Sequence, residues 1–220
     1  MRLFKSKKLL AVISALLVLS MAVGLSACKG GKDSNEITSS TEPTTEPSMT
    51  AQELANAIIP AVVKTDMATV MSYSFVDVDK AFEDKISDKG MDRAAVYKDL
   101  TESLGTEINC YTDFLKKQAE IQEDALKIQF GEDYKITYEI IEDNVCTPEE
   151  KEEKILNIMA KLEKGGFSSA RYFDPSKAEE FREIDFDYTI EGSKNKQSSA
   201  KIITLCKYDG KWVYGDIEMM

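Results

Sequence analysis

The stretch Glu183-Ile184-Asp185-Phe186-Asp187-Tyr188-Thr189-Ile190 decides how this chain is read. Ile184, Phe186, Tyr188 and Ile190 fall on one side of an extended backbone, and Glu183, Asp185, Asp187 and Thr189 on the other. Strict alternation of this kind marks a half-buried strand with one dry face and one wet face. C-terminal to it, Gly192-Ser193-Lys194-Asn195 turns the chain into a further strand near 200–207. Asp209-Gly210 is a two-residue hairpin signal, and it leads into a last strand from Lys211 to about Glu218.

Upstream, the alternation occurs once more: Tyr134, Ile136, Tyr138 and Ile140 are interleaved with Lys135, Thr137 and Glu139. A helix separates these two strands. Thr147-Pro148-Glu149-Glu150 supplies an N-cap, a proline at the first helical position and a glutamate at the third. Ile155, Leu156, Met159 and Leu162 form its apolar face, and Gly165-Gly166 ends it; a short element then starts at Asp174-Pro175.

Before the first strand the period is helical. Thr50-Ala51-Gln52-Glu53 is a capping box, followed by Leu54, Ile58 and Val62 at four-residue spacing. Pro60 should kink or divide this run, and Asp66 caps a second short piece carrying Val70, Met71 and Phe75. Helical patterning returns over 78–86, over 91–104 and over 108–130, punctuated by Gly90, Gly105 and Gly131. The expected class is therefore α+β, with several N-terminal helices on one face of a curved, mostly antiparallel four-stranded sheet. One further helix is inserted between the first and second strands.

The N-terminus has a different character. Arg2, Lys5, Lys7 and Lys8 precede an apolar run from Leu9 to about Leu25, as in a secretory signal. That run of roughly 17 residues reaches only the lower limit of a transmembrane helix. It ends in Leu25-Ser26-Ala27-Cys28, which resembles the lipobox of bacterial lipoprotein precursors. The resemblance implies cleavage between Ala27 and Cys28, a diacylglyceryl group on the Cys28 sulfur, and anchoring on the outer face of the cell membrane. Membrane lipid is then the first partner. Residues 28–49, rich in Ser, Thr, Gly, Pro and Glu, cannot bury enough surface to fold and read as a tether. A flexible coil of about 20 residues spans about 25 Å. Residues 50–220 form the folded domain, long enough for one ordinary core.

Of the 28 Lys+Arg and 39 Asp+Glu in the 220 residues, loss of 1–27 removes four and none, leaving 24 against 39 and a net charge of −15. That sign excludes nucleic acid, whose binding needs clustered cations. The chain has no histidine, which excludes histidine-based triads and removes the commonest transition-metal ligand. Cys110, Cys146 and Cys206 are widely spaced; they allow at most one bridge, in three pairings, or three buried thiols. No metal site and no cofactor is implied.

The leading helices and the closing Lys207-Tyr208-Asp209-Gly210-Lys211-Trp212-Val213-Tyr214 resemble the NTF2-like (cystatin-like) domains of many Gram-positive lipoproteins. Phe130-Gly131 followed by Tyr134-Lys135-Ile136-Thr137-Tyr138 is similar to lipoproteins of the domain-of-unknown-function 5105 and 4878 types. NTF2-like domains enclose a cavity between sheet and helices, and ketosteroid-isomerase-like members hold an Asp base and a Tyr donor there. The resemblance implies Tyr73, Tyr97, Tyr134, Tyr138, Tyr188 and Trp212 as pocket candidates, with Asp66 as an acid. Read from the residues alone, these aromatics fill the core and Asp66 caps a helix.

Asp185 and Asp187 share one strand face without the further ligands of a calcium loop, which reads as a solvated charged face. Glu149-Glu150-Lys151-Glu152-Glu153-Lys154 suits a helix start and its i,i+4 pairing. The methionines form no periodic cluster. The expected function is non-catalytic binding, of a small molecule or an envelope protein, by a membrane-held domain. The alternatives are an enzyme using Asp/Tyr acid–base chemistry, and a structural or regulatory subunit that uses the outer sheet face.

Overall fold

A computed structural model describes residues 49–216. The lipobox, Cys28, the signal segment and nearly all of the tether lie outside the described residues. The first helix, α1 (Ala51–Lys64), opens on the capping box: the Thr50 hydroxyl accepts from the Glu53 amide, and the Glu53 carboxylate accepts from the Thr50 amide. Leu54, Ala55, Ile58 and Ile59 are wholly buried. Of the two outcomes expected at Pro60, a kink or a division, the division does not occur, and α1 runs on to Lys64. Proline lacks the N–H that would bond the carbonyl four residues back, so the Asn56 carbonyl loses its helical donor. The Tyr138 hydroxyl reaches that carbonyl at 3.4 Å and the Asn56 side-chain oxygen at 3.2 Å. A neighbouring strand thus replaces the bond that the proline removes.

Helices α2 (Met67–Ser72), α3 (Val78–Asp88) and α4 (Arg93–Leu104) start on Asp66, Asp77 and Asp92, each accepting from a first-turn amide. The 20-residue α5 (Tyr111–Phe130) follows. The chain then forms β1 (Lys135–Val145), α6 (Pro148–Lys164), the short α7 (Ser169–Tyr172), a 3₁₀ turn (Pro175–Lys177), β2 (Ala178–Glu191), β3 (Lys196–Tyr208) and β4 (Lys211–Tyr214). The expected class holds: α+β, with helices preceding a four-stranded antiparallel sheet in the order β1-β2-β3-β4. The Asp209-Gly210 turn has positive φ at both residues, as a two-residue hairpin requires. Other details differ from expectation. Strands β2 and β3 are longer than the alternation alone indicates, the last strand ends at Tyr214 rather than near Glu218, and α7 carries too little periodicity to be seen in sequence.

The dry face of the sheet presents Ile184, Phe186, Ile190, Ile203 and Leu205 to α1, and this contact is the main core. Helices α2 and α5 border α1. Farther out, α3 stacks on α5 and carries α4 through aromatic rings: the Phe82 centroid lies 4.5 Å from that of Tyr111 of α5 and 6.2 Å from that of Tyr97 of α4, and Tyr111 and Phe114 are 5.6 Å apart within α5.

Helix α6 takes the other face of the sheet. Its Lys154 pairs with Glu183, which alternates away from Ile184, and its Lys151 donates to the Glu179 carbonyl. Beneath this end of the sheet Phe181, Thr204 and Cys206 are buried, and burial pushes the Cys206 thiol up to about 12.

The carboxyl end of α5 is closed by the β2–β3 turn. The Lys194 amide donates to the Phe130 carbonyl at 2.9 Å and its ammonium to the Ile128 carbonyl at 3.3 Å. Gly192 lies so close that an added Cβ would collide with the Phe130 carbonyl.

Candidate functional site

Of the pocket candidates, Tyr73, Tyr134, Tyr138, Tyr188 and Trp212 pack around the main core, and Tyr97 lies apart from them. Tyr97 lies on α4, against Phe82, and donates to Glu83 at 2.8 Å; burial and that carboxylate push its phenol above the ordinary tyrosine value. It belongs to the distal aromatic stack. Trp212 on β4 lies under the Arg182 guanidinium at 5.4 Å, and Tyr73 follows α2, where its carbonyl accepts from the Tyr214 amide. Tyr138 and Tyr188 are direct cross-strand partners on β1 and β2.

Each of these side chains is committed to the fold. Tyr138 bonds Asn56, as above. Tyr188 lies beneath Lys201, whose ammonium is 5.8 Å from the ring and donates to the Val62 carbonyl at the end of α1. Burial lowers the Lys201 pKa. Tyr134 donates to Glu123 at 2.6 Å, and Lys64 pairs with the same carboxylate at 3.1 Å. The phenol's hydrogen bond, with Lys64 beside it, holds Glu123 below its ordinary value. Asp66 accepts from the Thr69 amide and hydroxyl, which makes it a helix cap.

The more open feature is on the opposite side of the same two strands. A shallow depression of ≈ 270 Å³ is lined by Thr137, Tyr138, Glu139, Asp187, Tyr188 and Thr189. Alternation sends both tyrosine rings toward α1, so the side chains around it are the two threonines, Glu139 and Asp187. The register sets out this wet face in cross-strand rows. Thr137, Thr189 and Ser198 form the first, Glu139, Asp187 and Ala200 the second, and Glu142, Asp185 and Ile202 the third. Asn144, Glu183 and Thr204 form the fourth, and here α6 begins to cover the sheet.

The alternation of 183–190 made the wet face of β2 legible, and the Asp185/Asp187 pair was visible in it. The facing partners Glu139, Ala200 and Ile202 were not, because register is a pairing property that one strand's sequence does not carry. Among the described residues no cluster of His, Cys, Asp and Glu is arranged to hold a metal ion. Likewise, no helix among them is long and apolar enough to cross a membrane. No protein-family model, curated protein or solved structure matches the chain.

Proposed function

We propose that this chain is a lipoprotein, held on the outer face of the cell membrane through Cys28, whose α+β domain has a non-catalytic binding role. The observation that carries the reading is Leu25-Ser26-Ala27-Cys28, placed at the end of a basic start and an apolar run. One acyl chain holds a protein to a bilayer only marginally. Two chains, at about 0.8 kcal/mol per buried CH₂, hold it stably, so the anchor needs no spanning helix. The binding role is supported by the positions of the candidate acid–base groups. The phenols of Tyr97, Tyr134 and Tyr138 and the carboxylate of Asp66 each bond a neighbouring part of the fold.

The test is replacement of Cys28 by Ala, with fractionation and metabolic labelling by a radioactive fatty acid. The natural protein should be labelled and sediment with membranes. The variant should carry no label and should either keep residues 1–27 or pass into the medium. A variant that is fully processed and still membrane-bound would overturn the anchor.

A further inference from the structure

We infer that the uncovered half of the wet sheet face docks a cationic, extended segment of a partner protein. The inference rests on the proposed binding role of the domain and adds where the partner sits and what chemistry it brings.

The argument starts from the carboxylates of the strands. Asp143 and Glu180 share Arg182, Glu183 has Lys154, Glu179 has Lys207 and Glu191 has Lys196. Glu142 accepts from the Asn144 side-chain Nδ2. Only Glu139, Asp185 and Asp187 have no hydrogen-bonding side chain or ion-pair partner among the described residues, and they are contiguous. Glu139 and Asp187 face each other directly across β1 and β2, a placement in which like charges oppose sheet formation. Asp185 stands in the next row beside Glu142. Two neighbouring rows thus carry four carboxylates and no cation.

The shape of the face completes the argument. Ala200 is short beside Asp187, and the depression lies between the first and second rows, on β1 and β2. Ile202, beside Asp185, is 53% exposed, an apolar side chain at the edge of the acidic rows. Thr137, Thr189 and Ser198 add a row of hydroxyls. Successive rows on one face of a strand are about 7 Å apart, which is also the spacing of alternate side chains in an extended peptide. Lysines or arginines at alternate positions therefore meet both acidic rows, and helix α6 bounds the site at the fourth row. Charge complementarity selects a basic partner rather than a second copy of this acidic chain.

The probe is a synthetic heptapeptide alternating lysine with threonine, added to the full chain in neutral detergent at about 0.15 M salt, where exposed charges farther apart than about 8 Å are screened. A peptide with glutamate in place of lysine is the control. Binding should be selective for the lysine peptide. The triple variant E139Q/D185N/D187N should lose affinity by at least about tenfold, a difference of the size that separates matched from unmatched charged surfaces. The variant E102Q/E107Q/E132Q removes equal charge elsewhere and should change affinity less than about twofold. Equal loss in both variants would reduce the effect to net charge and overturn the docking site. So would an absence of lysine-peptide binding by the natural protein, or calcium binding that needs the same three residues while the peptide remains indifferent to them. The replacements are near-isosteric and exposed, and an unchanged melting temperature shows that the fold is kept. Cys28→Ala should leave peptide affinity intact, so failure of the anchor and failure of this site are read separately.

Discussion

Around the sheet, the buried side chains are mostly aliphatic and come from distant parts of the chain: Leu54, Ile58 and Ile59 of α1 meet Ile184, Phe186, Ile203 and Leu205 of β2 and β3. Around α3, α4 and α5 they are local, with Phe82, Tyr97, Tyr111 and Phe114 stacked within residues 78–114 among Ile86, Val96, Leu100 and Ile108. The second group is enclosed by polar contacts at its rim. Arg93 pairs with Glu83 at 2.8 Å, and Asp79 accepts from the Thr112 amide at 2.6 Å. A core closed by strands from across the chain opens only when the whole domain opens. One closed by short helices and exposed ion pairs can open alone, because such pairs contribute little.

The largest test of this difference is a matched pair of truncations. Phe186→Ala and Phe82→Ala each remove a ring from a buried site, at a cost of about 3–5 kcal/mol. Phe186→Ala should lower the whole denaturation curve. Phe82→Ala should instead release amides of residues 78–104 to hydrogen exchange while β2 and β3 keep their protection. Uniform loss of protection in the second variant would merge the two regions into one cooperative unit.

A smaller effect sharpens what joins α1 to the sheet. Tyr138→Phe removes the donor to Asn56 and should cost about 1 kcal/mol. In a Pro60→Ala background the helix regains its own amide, and the same replacement should cost about half as much or less. Equal costs in a double-mutant cycle would separate the tyrosine from the proline.

The smallest concerns pH. Glu123 has a lowered pKa, first through its hydrogen bond from Tyr134 and then through Lys64. Its contribution is present above the unfolded glutamate value, about 4.3, and is lost as pH falls through the lower folded value. Tyr134→Phe should therefore flatten the loss of stability between about pH 5 and pH 3, with little change in slope above pH 6. Urea denaturation at stepped pH measures it, and an unchanged acid limb would remove Glu123 from the junction.

Much of this comparison could be read from the chain. The alternation at Ile184–Ile190, the capping boxes at Thr50 and Thr147 and the Asp209-Gly210 turn are local signals, and each appears where expected. That α1 would stay undivided at Pro60 was not legible, because the compensating bond comes from Tyr138, 78 positions away in the numbering. The pocket candidates rest on residue type, and tyrosine serves equally in a cavity or in packing. What separates the two roles is the partner of each hydroxyl, and those partners, Glu83, Glu123 and Asn56, lie on other elements.

The bridge between Ser74 and Tyr214 has a consequence for how the chain comes into being. It joins the end of the leading helices to the last strand, and the Tyr214 amide donates to the Tyr73 carbonyl at 2.8 Å. A polypeptide emerging from its N-terminus cannot close α1 against β3 and β4 until those strands have been delivered. Contacts of such long sequence separation form late and slowly. The domain is thus built to remain open while α1 to α6 are made, and to close only once β3 and β4 have been delivered.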